Sequence, residues 1–220
     1  MSQGTKPASQ ARSRATRDKL VAALERLLRT RAFDSLTMAE LATEAGLAVG
    51  TVYRRFENKD AFIPVIFELY RARLDAYMAA EGRIELDPGQ GLRTALRQIM
   101  GSAWGFLREH GHLLQAAHLY ARLRPDLVGD DWQAYIDASL ASARQVIDLF
   151  ADEVRMGDPE AAAQILAYLL NTLPLERGLY PEDGAGALIS LSDDAFVTAM
   201  ADTIYGYLVT GPETPGKPAA

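Results

Sequence analysis

The chain has 220 residues, 49% of them hydrophobic and 24% charged, which is the composition of an ordinary globular protein with a sizeable core. It has no cysteine, which excludes disulfides and thiolate metal sites, and no apolar run that would form a membrane span or the core of a signal peptide. Its formal net charge of −6 at pH 7 argues against non-specific nucleic-acid binding by the whole molecule, and we expect a cytoplasmic protein.

The charge is distributed unevenly along the chain. Residues 1–60 contain 11 Lys and Arg against 7 Asp and Glu, whereas residues 61–220 contain 12 against 22. A basic N-terminal part on an acidic body predicts that only the N-terminal part meets a polyanion.

Apolar residues recur at the 3.6-residue period along most of the chain, so we predict an all-α fold of about nine helices. Residues 1–15 and 211–220 are polar, and we predict a disordered basic arm and a disordered tail there. The first helix is expected to begin behind an N-cap at Thr16, and Pro64 is expected to kink the helix that Asn58 caps. Later helices are predicted over residues 37–45, 48–55, 58–80, 88–111, 112–123, 131–156, 159–173 and 193–209, with a loop at 174–191.

Residues 37–56 have the anatomy of a helix-turn-helix. Thr37 and Glu40 are spaced as a capping box that opens the first short helix, and Gly46 suits the positive φ of a tight turn. Leu41 and Val52 fall where these helices must meet the first helix of the chain. The pattern leaves one face pointing outward, which contains Val49, Gly50, Thr51, Tyr53, Arg54 and Arg55.

This outward face suits a phosphate-lined groove, because it has hydroxyl, aromatic and cationic groups and no acidic residue from Ala45 to Phe56. Gly50 lowers helix stability by about 1 kcal/mol relative to alanine, which is explained if the backbone must approach a DNA strand closely. The alternative is that Tyr53 and Phe56 belong to the core and the two arginines are merely solvated.

Residues 16–62 resemble the N-terminal domain of TetR-family transcriptional regulators. The residues that carry the likeness are Thr16, Phe33, Thr37, Leu41, Ala42, Ala45, Gly46, Leu47, Gly50, Thr51, Val52, Tyr53, Phe56 and Lys59. The resemblance implies a helix-turn-helix DNA-binding domain over residues 16–60 and a helical ligand-binding and dimerisation domain over residues 61–210. The chain departs from the family pattern at Ala32, where glycine is common, at Ala48, where serine is usual, and at Arg55, where histidine or tyrosine is common.

The resemblance also implies roles for individual residues. Val49, Thr51 and Arg54 would read bases, while Thr37, Tyr53, Arg55 and Lys59 would contact phosphates. Because an arginine can hold O6 and N7 of guanine together, we expect a guanine in each half-site. The implied function is a ligand-responsive repressor whose partners are a palindromic double-stranded DNA operator and an unknown small-molecule effector.

Aromatic and methionine side chains in the acidic body suit the effector cavity that the resemblance implies. The candidate ligand-binding residues are Phe67, Tyr70, Met100, Trp104, His118 and Tyr135. Taken singly, each is also compatible with an ordinary core position.

The last two long helices are expected to form a homodimer, because they contain more apolar residues than one side of each helix can bury. These residues are Ile165, Leu166, Tyr168, Leu169, Leu170, Leu173, Phe196, Met200, Ile204, Tyr207 and Leu208. The alternative is that the fifth helix of the same chain covers both.

Nothing in the sequence indicates an enzyme, a cofactor or a metal. His110, His112 and His118 do not share one helical face, and the glycines at 184–187 follow no strand. The competing interpretation is an all-α enzyme or small-molecule-binding protein whose basic N-terminal part contacts another polyanion. Salt-dependent binding to one palindromic duplex would separate the two interpretations.

Overall fold

The structure, a computed structural model, describes residues 5–80, 84–180 and 184–210. Over these residues it contains helices, turns and connections and no strand, which confirms the all-α prediction. None of the described helices is both long and apolar enough to cross a membrane. The α-helices of the described residues are α1 (Thr5–Leu28), α2 (Met38–Ala45), α3 (Val49–Tyr53), α4 (Ile63–Ala80), α5 (Leu92–Leu123), α6 (Pro125–Val128), α7 (Asp131–Leu149), α8 (Pro159–Leu179) and α9 (Asp193–Thr210).

The described residues fall into two compact units. The first unit comprises the described part of residues 1–75 together with residues 112–131, and the second comprises the described parts of 76–111 and 132–220. The first unit extends beyond the 16–60 segment because side chains of α4 and α5 bind it. Arg17 of α1 pairs with Glu68 of α4, and Arg124, next to α5, pairs with Asp60.

The core of the first unit is built from the apolar stripe of α1. Leu20 and Leu24 are fully buried, as are Leu41 of α2 and Val52 of α3. The predicted packing of the helix-turn-helix on the first helix is therefore present. It packs α2 against α1 and α3 against α2.

The first helix begins earlier than predicted, at Thr5. Thr16 lies inside α1, where its hydroxyl donates to the carbonyl of Arg12 at 2.9 Å, as an interior threonine does, and does not cap a helix. The predicted disorder of residues 5–15 is therefore wrong; this stretch contains Ala, Gln and Arg, which favour helix even without an apolar face. Residues 1–4 and the predicted tail at 211–220 lie outside the described residues.

The predicted kink at Pro64 is also wrong. Asn58 caps a short 3₁₀ turn at Lys59–Phe62, where its side-chain oxygen accepts from the amide of Ala61 at 3.1 Å. The α-helix begins only at Ile63, so Pro64 lies in its first turn. A proline there disturbs nothing, because first-turn amides have no partner within the helix.

Two predicted helix ends are absent from the structure. Gly111 does not end α5, which runs without interruption from Leu92 to Leu123. Pro174 does not end α8, which continues to Leu179 with the proline buried. A glycine inside a helix lowers helix stability by about 1 kcal/mol, and a proline lowers it by about 3 kcal/mol. Burial of the apolar side chains before and after Gly111 and Pro174 outweighs these losses.

The last turn of α8 packs tightly on α5. Gly178 lies so close to Leu107 that a Cβ at this position would overlap the leucine side chain. The glycine therefore permits the contact that keeps residues 174–179 helical, where a loop was predicted. Residues 184–188 form a 3₁₀ turn, and residues 181–183 lie outside the described part.

The core of the second unit is formed by α5, α7, α8 and α9. Its most enclosed side chains are Leu92, Leu96, Met100, Ile147, Leu166, Ile204 and Leu208. Two hydrogen bonds close its margins: the amide of Leu92 donates to Glu153 at 2.8 Å, and the amide of Arg155 donates to the carbonyl of Leu208 at 2.9 Å.

A buried acid of α1 is held by an arginine of α4. Glu25 is 7% exposed, and its two carboxylate oxygens accept from Arg73 at 2.8 and 2.6 Å. Arg29 lies further away, at 3.8 Å. The hydrogen bonds from Arg73 lower the pKa of Glu25 against the opposing effect of its burial.

We predict that Arg73→Met lowers the free energy of unfolding by about 2–4 kcal/mol at pH 7, because it leaves a buried carboxylate without its main partner. Arg29→Met is the matched control and should cost less than about 1 kcal/mol. The pKa of Glu25 is lowered in the folded state, so this stabilisation is complete above the ordinary glutamate range and is lost as the pH falls below that range and through the lowered pKa.

The measurement is urea unfolding of both variants at a series of pH values. The difference between wild type and Arg73→Met should shrink at acidic pH, where protonated Glu25 no longer needs the guanidinium. A difference that is independent of pH would show that packing, and not the charge, accounts for the loss.

Candidate nucleic-acid interface

The helix-turn-helix opens with the predicted capping box. Thr37 Oγ1 accepts from the amide of Glu40 at 3.2 Å, and the Glu40 carboxylate accepts from the amide of Thr37 at 2.8 Å. Arg31 also donates to Glu40, at 2.6 Å. Arg31 first and Thr37 second lower the pKa of Glu40 to about 2, so this acid stays ionised and paired.

The turn between α2 and α3 is made at Gly46, which has a φ of 64°. This left-handed conformation is confirmed as predicted and strongly favours glycine. A hydrogen bond from the amide of Leu47 to the carbonyl of Ala42, at 2.9 Å, closes this turn. Ala48 then precedes α3 without a side-chain cap, as expected for a residue that has lost the usual hydroxyl.

The two faces of α3 differ sharply in burial. Val52 is fully buried, and Phe56, just beyond the helix, is buried and stacked on Phe62 with ring centroids 3.9 Å apart. Tyr53 is 53% exposed and Val49 is 40% exposed. The alternative interpretation assigned both Tyr53 and Phe56 to the core. The structure shows that Phe56 is a core residue and that Tyr53 is not.

Basic residues of α1 and of the α3 region line one open cleft of about 400 Å³. Its lining consists of Arg12, Ser13, Thr16, Thr51, Arg54 and Arg55, so the described lining contains three guanidinium groups and no carboxylate. Arg54 donates to the hydroxyl of Thr51 at 2.8 Å, and both terminal nitrogens of Arg55 donate to Ser13 at 3.0 Å. The geometry suits an anion such as a phosphate.

The sequence interpretation missed Arg12 and Ser13. It assigned them to a disordered arm, because residues 1–15 are polar and contain few bulky apolar side chains. The signal that identifies them is their position on the same helix as Leu20 and Leu24 once α1 is extended backwards. That extension brings Ser13 within hydrogen-bond distance of Arg55.

Lys59 lies in the turn before α4 and contacts the segment that follows α1. Its ammonium donates to the carbonyl of Asp34 at 2.7 Å and to that of Phe33 at 3.4 Å, and it lies 5.3 Å from the centroid of the Phe33 ring. These contacts account for two of its three N–H groups. Lys59 therefore holds the first unit together, whether or not it also contacts a phosphate.

The C-terminal part of α5 also holds this unit. The Tyr120 hydroxyl donates to the carboxylate of Asp34, and the Phe33 and Tyr120 rings meet edge to face at 5.2 Å. Burial first, and then the neighbouring Asp34 carboxylate, raise the pKa of Tyr120, so the hydroxyl stays protonated and continues to donate. Arg124 pairs with Asp60 and Asp126.

The predicted DNA-binding residues of α3 and its surroundings differ in how exposed they are and in whether their side chains are already hydrogen-bonded. Val49, Gly50, Tyr53 and Arg54 are exposed, and Thr51 and Arg55 are half-buried in the cleft. Thr37 uses its hydroxyl in the capping box. The structure thus gathers the predicted base-reading residues on one exposed surface.

The six predicted ligand-binding residues are divided between the two units. Phe67 and Tyr70 are buried and His118 is half-buried in the first unit, where burial lowers the pKa of His118. In the second unit, Met100 is fully enclosed in the core, Trp104 is buried beside Phe196, and Tyr135 donates to Asn171. Among the described residues, no group of three His, Asp or Glu side chains could hold a metal ion.

Comparisons with known proteins agree with this geometry. Residues 20–64 match the family model for bacterial regulatory proteins of the tetR family. An uncharacterized HTH-type transcriptional regulator of Haemophilus influenzae is 28% identical over 106 residues, which is 48% of this chain and 54% of the relative. The chain therefore matches about half the length of that curated relative.

Solved structures share the fold over most of the chain. NalD of Pseudomonas aeruginosa, described as the secondary repressor of the MexAB-OprM multidrug efflux pump, is 18% identical with a TM-score of 0.55, covering 90% of this chain and 98% of NalD. FadR of Bacillus subtilis in complex with stearoyl-CoA is 15% identical with a TM-score of 0.57, covering 89% of this chain and 98% of FadR. At this level of identity the structures establish the fold alone.

We predict that Lys59→Met lowers the free energy of unfolding by about 1–3 kcal/mol, because two carbonyl oxygens lose a charged donor. Lys19→Met, on the exposed face of α1, is the control and should change stability by less than about 0.5 kcal/mol. Thermal and urea unfolding measure both. Equal stabilities of the two variants would contradict the anchoring role of Lys59.

Proposed function

We propose that this chain, which belongs to the TetR family of bacterial regulatory proteins, is a cytoplasmic homodimeric repressor that binds a palindromic operator and responds to a small-molecule effector. The observation that carries this proposal is the exposed surface of α3. Val49, Thr51, Tyr53 and Arg54 face solvent or the open cleft, while Val52 anchors the opposite side of the helix.

This surface suits the major groove of DNA. The exposed part of a helix that follows a glycine turn reads base edges in helix-turn-helix proteins. The basic cleft beside it provides cations for the flanking phosphates, and its arginines are oriented by Thr51 and Ser13. We propose that Val49, Thr51 and Arg54 read bases, and that Tyr53, Arg55, Thr37 and Lys59 contact the sugar-phosphate backbone together with Arg12.

Gly50 adds support, because a Cβ built at this position meets no atom within 4 Å. The protein itself therefore does not require a glycine here for space, and φ is not in the left-handed region. A missing side chain on an exposed recognition helix is explained by close approach of a DNA strand.

We propose that two protomers associate through α8 and α9. Tyr168 of α8 is 64% exposed, and Tyr207 of α9 is also exposed, although both helices contribute fully buried residues to their own core. Four arginine side chains bind the acids of α9: Arg93 and Arg97 hold Asp202, whose pKa they lower, and Arg108 and Arg177 contact Asp193. Beyond Asp194, the exposed positions of α9 are uncharged; they are Ala195, Thr198, Thr203, Tyr207 and Thr210.

A surface of small and aromatic uncharged residues on neighbouring helices suits an isologous four-helix contact. Gly206 lies inside α9, and a Cβ added to it would meet no atom within 4 Å. Such a glycine weakens the helix by about 1 kcal/mol without benefit to the protomer, and a close partner helix explains it.

The effector site is proposed to lie in the segment 61–210. Two proteins with this fold are described as a repressor of an efflux pump and as a transcriptional regulator in complex with stearoyl-CoA, which supports the proposal of repression and effector binding. Met100, which is fully buried, and Trp104, which is 6% exposed, lie one turn apart on α5 and are two of the proposed site residues.

The function is tested by selecting bound duplexes from a random DNA library and titrating the enriched sequence at several salt concentrations. The proposal predicts an inverted repeat whose half-site centres lie about 34–36 Å apart or slightly more, and a steep fall in affinity with salt. An all-α enzyme or binding protein with another polyanionic partner predicts no enriched sequence, and that result would contradict the proposal.

Arg54→Ala should lower affinity for the enriched duplex by about 1–3 kcal/mol and relax preference at one base position in each half-site. Its neighbour Arg55→Ala should weaken binding to all duplexes alike and flatten the salt dependence by about one counterion per half-site. Titration of both variants against the enriched and a scrambled duplex measures this. If the two variants showed the same sequence preference and the same salt dependence, the assignment of Arg54 to base recognition and Arg55 to phosphate contact would be contradicted.

Gly206→Arg should convert the protein to a monomer at micromolar concentration while leaving its helix content unchanged, because the new side chain enters space that the protomer leaves open. Gly157→Arg, at another glycine with no atom within 4 Å, should remain dimeric. Light scattering coupled to size-exclusion chromatography gives the masses. A dimeric Gly206→Arg variant would exclude this part of α9 from the interface.

A further inference from the structure

Among the enclosed hydrogen-bond donors of the second unit that have no acceptor in the described residues, two lie in one side-chain cluster. They are the indole nitrogen Nε1 of Trp104 on α5 and the Nη1 nitrogen of Arg177 on α8. The Trp104 residue is 6% exposed and the Arg177 side chain is 13% exposed. Buried donors are nearly always satisfied, and leaving one unsatisfied is costly, so two in one cluster call for an acceptor.

The two donors belong to the same side-chain cluster. The Arg177 guanidinium carbon lies 4.7 Å from the centroid of the Phe196 ring and 5.6 Å from that of Trp104. The Trp104 and Phe196 rings are themselves 5.0 Å apart. Arg177 is also oriented by its other terminal nitrogen, which donates to the carbonyl of Leu191 and, at 3.4 Å, to Asp193.

The charge of this cluster favours an anion. Arg177 and Arg108 both contact the carboxylate of Asp193, which is half-exposed, so these three groups together retain one positive charge. The other two members of the cluster, Trp104 and Phe196, are aromatic. The cluster therefore offers a neutral donor from Trp104, a cationic donor from Arg177, and the rings of Trp104 and Phe196. An anionic acceptor attached to an apolar group fits this combination.

We propose that Trp104 and Arg177 bind the carboxylate of a small organic acid with an apolar body, and that this acid is the effector. The carboxylate accepts one hydrogen bond from Trp104 Nε1 and one from Arg177 Nη1, and the apolar part lies against the aromatic rings. The inference rests on the proposed function, since it specifies the chemistry of the effector in the proposed ligand domain.

The test uses the full-length protein with Trp132 changed to Phe, so that Trp104 is its sole tryptophan. Hexanoate, benzoate and phenylacetate are titrated against the tryptophan fluorescence, each beside its neutral amide, with hexyl phosphate as the alternative anion. We expect at least one acid to bind saturably below about 10 mM and to raise the melting temperature, and its amide to bind at least about 10-fold more weakly.

Variants then locate the site. Arg177→Gln should weaken acid binding by about 10–100-fold, because it removes a charged donor to the carboxylate. Trp104→Phe should weaken it by about 10-fold, because it removes the indole N–H but keeps an aromatic ring. Binding to Trp104→Phe is measured by thermal shift. Arg144→Gln is the matched control, since this half-exposed arginine pairs with Glu160 outside the cluster and should leave acid affinity within about 2-fold. Melting curves without acid establish that each variant is folded.

Several results would overturn the inference. These are no saturable binding of any acid, equal binding of acid and amide, tighter binding of hexyl phosphate than of every carboxylate, and unchanged acid affinity in folded Arg177→Gln. The enriched duplex is titrated in parallel without acid. A protein that binds the duplex but no acid contradicts only this inference, whereas one that binds an acid but no duplex contradicts the proposed repressor function.

Discussion

The seating of α3 through Val52 and Phe56 is the constraint on which the proposed interface depends. Five residues of helix have almost no stability of their own, so the orientation of α3 must come from tertiary contacts. Val52 is fully buried and Phe56 stacks on Phe62 at 3.9 Å, which fixes the helix from both its inner face and its C-terminal end. Because these two residues turn inward, Val49, Tyr53 and Arg54 are presented to solvent. The turn at Gly46 and the capping box at Thr37 position the same surface from its other end.

The electrostatic potential at this surface depends on which acidic residues form ion pairs as much as on the number of charged residues. Three acids of the first unit form ion pairs, Glu40 with Arg31, Glu44 with Arg26 and Asp60 with Arg124, and Asp34 accepts from the Tyr120 hydroxyl. Their negative charge is therefore partly neutralised, while the guanidinium groups of Arg12, Arg54 and Arg55 line an open cleft with hydroxyl neighbours. A protein with a net charge of −6 can thus present a local surface that attracts a polyanion. The same pairing connects α4 and α5 to the helix-turn-helix within the first unit.

Features set by neighbouring residues were predictable from the sequence, whereas features set by distant contacts were not. The capping box of Thr37 and Glu40 and the left-handed Gly46 depend on a few adjacent positions, and both are confirmed. Gly111 and Pro174 carry local signals for helix ends, yet tertiary burial overrides them and both helices continue. The contact of Lys59 with the carbonyls of residues 33 and 34, the role of Ser13 beside Arg55, and the unsatisfied donors of Trp104 and Arg177 join residues far apart in the chain, and no spacing rule predicts them.

The most direct test of the proposed DNA-reading surface compares Gly50→Ala with Gly157→Ala, two glycines around which the protein leaves open space. Each variant is titrated with the duplex enriched by the wild-type protein, and its unfolding is measured in parallel. We predict that Gly50→Ala is at least as stable as wild type but binds the duplex at least about 10-fold more weakly, since its methyl group stands where the DNA strand must approach. Gly157→Ala should bind like wild type. Wild-type affinity in Gly50→Ala would contradict the assignment of the exposed face of α3 as the DNA-reading surface.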